Sequence, residues 1–163
     1  MPSDPLDRFY TKPEMARKCI DRLKLLYSAF DFDLIVDPCA GEGAFVNALG
    51  WVRNLAVMDI DPDVPYPNKD FLEYSPPTHL KKILTVGNPP FGQAPYFVKA
   101  RAFIEHAAEF SRVIAFILPR GWMSCVKFGK LSVVDSMHLP MNSFTHFGQE
   151  VEVATSFVIF ESF

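Results

Sequence analysis

The stretch Val86-Gly87-Asn88-Pro89-Pro90-Phe91-Gly92 joins a side-chain amide, two prolines and an aromatic ring within a few residues. Pro89 and Pro90 each fix φ and lack an N–H, so neither can donate to a strand ladder. Asn88 precedes a proline and is driven to an extended conformation. A loop this rigid can hold a carbonyl, an amide and a ring in fixed relation to a flat group that carries an NH2. Taken alone, the stretch is equally well an Asn-Pro turn with no chemistry.

The elements around it decide what it can do. Lys82 to Val86 is an apolar run that reads as a buried strand, and residues 95–110 follow with helical period and Pro95 in the first turn. Upstream, Leu34-Ile35-Val36-Asp37 reads as a short strand ending in an acid. Pro38-Cys39-Ala40-Gly41-Glu42-Gly43 follows, then a short helical segment over 44–49. Strand, Gly-x-Gly turn and helix begin a nucleotide-binding α/β unit, in which glycines permit a sharp turn and close approach of a ligand. Position 46 is Val and no Gly-Lys-Ser/Thr follows, so a pyrophosphate is not the natural ligand. A tight strand–helix connection is the alternative for this turn.

Leu55 to Asp61 reads as a second strand ending in acids, starting about twenty residues after the first. An acid there accepts hydrogen bonds from ribose hydroxyls, with Asp59 the first choice and Asp61 its neighbour. Residues 62–67 carry three prolines, so the usual crossover helix must shorten to a loop. Asp70 and Phe71 then offer a polar group and a ring suited to the edge and face of an adenine. A helix or turn cap is the competing role for Asp70.

Elsewhere, Thr11 and Glu14 have capping-box spacing with Pro13 between them, and the spacing of apolar residues predicts a helix over about 12–30. Phe9 and Tyr10 read locally as a hydrophobic staple rather than a pocket wall. Arg112 to Leu118 is an apolar run of buried-strand type. Residues 120–130 mix basic and aromatic side chains at a strand's C-terminal end, the edge at which open α/β sheets bind ligands. Arg120, Lys127 and Lys130 could meet phosphates while Trp122 or Phe128 stacks on a base. The alternative is a solvated loop tethered by a buried Trp122. Residues 132–163 hold no long helix and finish in strands that imply an antiparallel end to a parallel sheet.

A length of 163 residues, 49% of them apolar, is enough for one domain with a sizeable core. The net charge of −3 argues against bulk electrostatic capture of nucleic acid, unless basic residues cluster or a partner supplies them. Cys19, Cys39 and Cys125 show neither disulfide nor zinc spacing. His79, His106, His138 and His146 lack metal-ligand spacing, and no metal is expected. No apolar run approaches a membrane span, and the polar N-terminus carries no signal-peptide core. Cytoplasmic or nuclear residence is the expectation.

Four signals stand in one order: Phe9-Tyr10-Thr11, Asp37 to Gly43, Asp59-Ile60-Asp61, and Asn88-Pro89-Pro90-Phe91. Together they resemble the class I S-adenosylmethionine-dependent methyltransferases, specifically those that methylate adenine N6. The resemblance covers nearly the whole chain. It implies a Rossmann-like α/β fold: a mostly parallel seven-stranded sheet, an antiparallel C-terminal strand, and helices on both faces. It also implies a single catalytic domain over 1–163 with no separate target-recognition domain, so a recognition subunit or a homodimer is a possible arrangement.

The implied cofactor is S-adenosylmethionine. Phe9, Tyr10 and Thr11 would meet its methionine end, and Asp37, Pro38, Ala40, Gly41 and Gly43 would frame its amino acid. Asp59 and Ile60 would lie at the ribose, with Asp70 and Phe71 at the adenine, and Asn88 would also border the cofactor. Asn88 and the Pro89 carbonyl would accept hydrogen bonds from the target NH2, within the Asn88, Pro89, Pro90, Phe91 catalytic stretch. Phe91 would stack on the target base, flipped out if it came from a duplex. Arg120, Trp122, Lys127 and Lys130 would touch the nucleic acid. DNA is favoured over RNA by the Phe-Tyr-Thr motif. A protein glutamine methyltransferase is the alternative enzyme, disfavoured because such enzymes carry Tyr at the position of Phe91. A non-catalytic subunit with this fold is the alternative of another class.

Overall fold

A computed structural model describes residues 4–28, 30–124 and 126–163. Cys125 lies outside these residues, and Cys19 and Cys39 are free thiols.

The first elements are β1 (Tyr10–Thr11) and α1 (Pro13–Leu26). The helix begins where Pro13 has its fixed φ and needs no donor. Ala16, Cys19, Ile20 and Leu23 repeat at helical spacing and are fully buried. The expected capping box does not form. Thr11 is committed to β1, where it pairs with Phe144, and Lys12 occupies the cap position without a side-chain cap bond. The helix also stops at Leu26 rather than near 30, and the Tyr27 N–H donates to the Leu23 carbonyl.

The main sheet contains β2 (Leu34–Asp37), β3 (Leu55–Val57), β4 (Ile83–Gly87), β5 (Val113–Pro119), β6 (Leu131–His138) and β9 (Thr155–Ser162), in the order β3-β2-β4-β5-β9-β6. Strands β3, β2, β4 and β5 are parallel. Strand β9 is antiparallel to both β5 and β6, so it alone runs against the other five. This corrects the expectation of seven strands. The segment that would supply the seventh carries Pro62, Pro65 and Pro67, which have no N–H for a ladder. What remains is a single parallel bridge between Asp59 and Asn68 at that edge.

Helices do cover both faces. Along β5, Val113, Ala115 and Ile117 pack with α1 and with Phe45 and Leu49 around α2 (Ala44–Ala48). Ile114, Phe116 and Leu118 pack with Ala100, Ile104 and Ala107 of α3 (Val98–Ala108). Burial on both faces is why β5 reads as a continuous apolar run rather than an alternating one. A smaller sheet, in the order β1-β7-β8, joins β1 to the hairpin of β7 (Phe144–His146) and β8 (Gln149–Val151). No helix among the described residues is long and apolar enough to cross a membrane.

The chain leaves β2 toward β3 on one side and returns to β4 on the other, which opens a crevice at the C-terminal ends of β2 and β4. Leu23 ties α1 to the back of that crevice with its whole side chain in the core. Leu23→Ala should lower unfolding free energy by about 2–5 kcal/mol, read from urea denaturation. A loss under ~1 kcal/mol would contradict this packing.

Candidate active site

Strand ends deliver the first residues to the crevice. Asp37 ends β2 and is 1% exposed. Its Oδ1 accepts from the Cys39 N–H at 3.2 Å, while Oδ2 is buried with no hydrogen-bond partner. Gly87 ends β4, and a Cβ there would lie 3.0 Å from Asp37 Oδ1. The missing Cβ lets the end of β4 approach the acid without crowding it. Burial first, and then the nearby charge of Asp59, raises the Asp37 carboxyl from 3.8 to about 7, opposed by the Cys39 bond.

The glycine turn is built around Asp59. The Asp59 Oδ2 accepts from the Gly41 N–H and its Oδ1 from the Asp61 N–H, each at 2.8 Å. Each oxygen keeps a second lone pair for a ligand hydroxyl. Gly41 and Gly43 have φ of 55° and 87°, the left-handed region that disfavours a Cβ. A Cβ on Gly41 would lie 2.8 Å from the Tyr10 ring, and one on Gly43 would collide with the Tyr66 hydroxyl. Two tyrosines therefore close down on this turn, and the Gly-x-Gly spacing is what admits them.

Beside this turn lies a cavity of about 340 Å³. Phe9, Tyr10, Pro38, Gly41, Asp59, Ile60, Asp70, Phe71, Asn88 and Pro90, all singled out in the sequence, line it. The size falls in the ordinary range for small-molecule sites. A separate hollow of about 60 Å³ adjoins it, walled by Phe9, Pro89, Phe91, Phe144 and Val153. Asn88 lines both. Its NH2 donates to the Phe9 carbonyl at 2.9 Å, and its backbone carbonyl accepts from Cys39 Sγ at 3.1 Å. The partner at Phe9 is a carbonyl, so the atom facing it must be the amide nitrogen. Among the described residues none donates to Asn88 Oδ1, which stays available as an acceptor.

Other expected site residues take different places. Asp37, Ala40 and Gly43 stand behind the cavity wall, and Thr11 is buried in β1. Asp70 accepts from the Leu72 N–H at 2.9 Å and so caps a short 3-10 turn while also lining the cavity. Phe71 is 1% exposed, held by Phe103 and His106 at ring distances of 5.1 and 5.0 Å. The 120–130 segment divides. Trp122 is 8% exposed and packs edge-on to Phe97 and Phe128, so its ring is core rather than an open stacking platform. The Arg120 guanidinium donates to the Leu139 carbonyl at 2.7 Å and is engaged in holding strand ends. Lys127 and Lys130 are exposed, and neither lines the cavity or the hollow.

Cys39, Arg8, Lys99 and Phe144 also line the site and escaped the sequence reading. Cys39 lay inside a motif read for its glycines. The others come from elements that only the folded chain brings together. Burial, reinforced by Asp37 and Asp59, pushes the Cys39 thiol well above its ordinary range, so it is a wall and a donor rather than a nucleophile.

No protein-family model matches the sequence, and no curated protein does. Solved structures match closely in shape. A protein of Pyrococcus horikoshii, provisionally named an RNA methyltransferase, superposes with a TM-score of 0.72 at 15% identity over 99% of this chain and 91% of that one. A protein of Listeria monocytogenes, provisionally named a class I S-adenosylmethionine-dependent methyltransferase, gives 0.69 at 13% identity over 99% of this chain and 63% of that one. The magnesium protoporphyrin IX methyltransferase of Synechocystis, solved with bound S-adenosylmethionine, gives 0.57 at 10% identity over 93% and 79%.

Two outcomes follow from the geometry. The folded-state pKa of Asp37 exceeds its ordinary value, so the protonated form stabilises the fold. That contribution is complete below about 3.8 and is lost as pH rises through about 7. Asp37→Asn should therefore flatten the decline in thermal stability across this window and raise the Tm of the ligand-free protein at mildly alkaline pH. An unchanged profile would remove Asp37 as the titrating group. Gly43→Ala should cost about 1–2 kcal/mol from φ alone and more from the Tyr66 collision. Adding Tyr66→Ala should recover the second part only, and full recovery would contradict the left-handed constraint.

By its strand order, its single reversed strand and its site at the β2–β4 crevice, the chain has the fold of the class I methyltransferases.

Proposed function

We propose that this protein is an S-adenosylmethionine-dependent methyltransferase that modifies the exocyclic N6 of adenine in nucleic acid. The observation that carries the reading is Asn88 standing between two cavities, one of cofactor size and one small and aromatic-walled. The order of Phe9 to Thr11, Asp37 to Gly43, Asp59 and Asn88 to Phe91 supports it. So does likeness to a protein named for RNA methylation.

The residues present fit the cofactor. Asp59 keeps lone pairs for ribose hydroxyls, Asp70 and Leu72 line the wall proposed for the adenine, and Phe71 backs it. The unpartnered Oδ2 of Asp37 stands behind Pro38 and Cys39, where a cationic amino group nearby would favour its ionised form. When bound, S-adenosylmethionine supplies an electrophilic methyl group on a sulfonium.

The chain's own work is orientation. The N6 lone pair of adenine is delocalised into the ring, so the nitrogen is a poor nucleophile. Asn88 Oδ1 and the Pro89 carbonyl accept its two hydrogens, which favours a tetrahedral nitrogen and turns the lone pair toward the larger cavity. The planar ring rests in the hollow against Phe91, with Phe9 and Phe144 as further walls. The proton leaves after transfer, so no general base is needed. Lys127 and Lys130 are proposed to meet phosphates. Arg120 and Trp122, engaged in the fold, contribute by holding that loop.

Calorimetry with S-adenosylmethionine and transfer of a tritiated methyl group to DNA, RNA and protein pools test the reading. The wild type should bind the cofactor and label nucleic acid. Asn88→Ala should keep cofactor affinity and lose transfer by roughly 100-fold or more. Equal activity in that variant, or label confined to protein, would overturn the assignment. Cofactor binding without transfer to any pool would support a non-catalytic role.

A further inference from the structure

Residues 5–9 pass between the cavity and the hollow in no regular secondary structure, yet Pro5, Asp7, Arg8 and Phe9 line the cavity, and Asp7 and Phe9 line both spaces. The Phe9 carbonyl at the end of this segment is the acceptor that orients the Asn88 amide. The geometry of the segment therefore enters the geometry of Asn88.

Lys99 holds the segment from the opposite side. Its Nζ donates to the Pro5 carbonyl at 2.6 Å and to Asp7 Oδ2 at 2.8 Å. Lys99 belongs to the first turn of α3, where the helix dipole favours anions over cations. A lysine in that place is offset by the carboxylate and carbonyl it meets. Its stem lies against Gly92, whose φ of 80° and missing Cβ let the first turn of α3 approach the end of the Asn88 stretch. Asp7 itself takes a left-handed φ of 49°, a cost that persists only where the surroundings hold it. On the far side, Arg8 Nε lies 3.0 Å from Asp61 Oδ2, and the Arg8 carbonyl meets His146 Nδ1 at 3.0 Å. One lysine thus touches the loop that ends at Gly92 and the segment that fixes the amide of Asn88.

We infer that Lys99 is a positioning residue: by clamping residues 5–7 against α3 it sets the Phe9 carbonyl and, through it, the orientation of the Asn88 amide toward the target. The inference rests on the methyltransferase reading above. It assigns Lys99 no contact with the reacting atoms.

The test is a double-mutant cycle read by initial rates of tritiated-methyl transfer to the nucleic acid pool that the wild type labels, with urea denaturation of each variant as the folding control. Lys99→Met should lower kcat by about 5- to 30-fold, the factor that one or two kcal/mol produces, with KM for the nucleic acid little changed. Lys99→Arg should retain kcat. In an Asn88→Ala background, Lys99→Met should cause no further loss, because the amide it positions is gone. Asp7→Asn, which weakens the same clamp from the other element, should reproduce the kcat effect if Lys99→Met folds poorly. Losses that multiply with Asn88→Ala, or an unchanged kcat in both clamp variants, would overturn the inference while the methyltransferase reading stands. A wild type that binds the cofactor and labels nothing would overturn the two together.

Discussion

The hydrogen bond from the Asn88 amide to the Phe9 carbonyl is the interaction on which the site's arrangement depends. It ties the end of β4 to the segment before β1, two parts of the chain 79 residues apart. It also fixes which end of a symmetric-looking amide is turned to that carbonyl. Around it, Gly87 lets β4 approach Asp37, Asp59 holds the Gly41 turn, and Tyr10 closes over that turn. Each contact is local, and their sum is a wall with a cavity on one side and a hollow on the other.

The scaffold makes this convergence cheap. A sheet buried on both faces supplies stiff strand ends, each fully buried aliphatic or aromatic side chain contributing about 1.5–3 kcal/mol. Asp37, Asp59 and Asn88 all leave from those ends at the crevice where strand order reverses. The cost is concentrated in a few groups. Asp37 is buried with one oxygen unpartnered, and a raised pKa is the consequence. Such a group destabilises the fold as it ionises, and a cation beside it would offset that cost.

Much of this was legible in the sequence, for identifiable reasons. Strands buried on both faces announce themselves as apolar runs, as at Ile114 to Leu118 and Phe157 to Phe160. Glycines required by positive φ and prolines without donors mark the turns at Gly41, Gly43 and Pro62 to Pro67. The misses share a cause. Thr11 looked like a helix cap because its pairing partner, Phe144, is 133 positions away in the chain. Trp122 could be read as a stacking platform or as a buried tether, because a strand-end aromatic has the same local signature in both roles, and only the fold shows it packed against Phe97 and Phe128. Lys99 carries no motif at all, and only the folded chain brings it to Pro5 and Asp7. The seventh strand failed because five prolines between Asp61 and Leu80 leave too few donors for a ladder.

Asn88 is proposed to present acceptors to one kind of nitrogen. That role is tested most directly by incubating the protein with S-adenosylmethionine bearing a deuterated methyl group and mixed single- and double-stranded RNA and DNA. Digestion to nucleosides and mass spectrometry then locate the label. Orientation of an exocyclic amine by Asn88 would put the deuterated methyl on N6 of adenine. Label on a ring nitrogen, a base carbon or a ribose hydroxyl would contradict it.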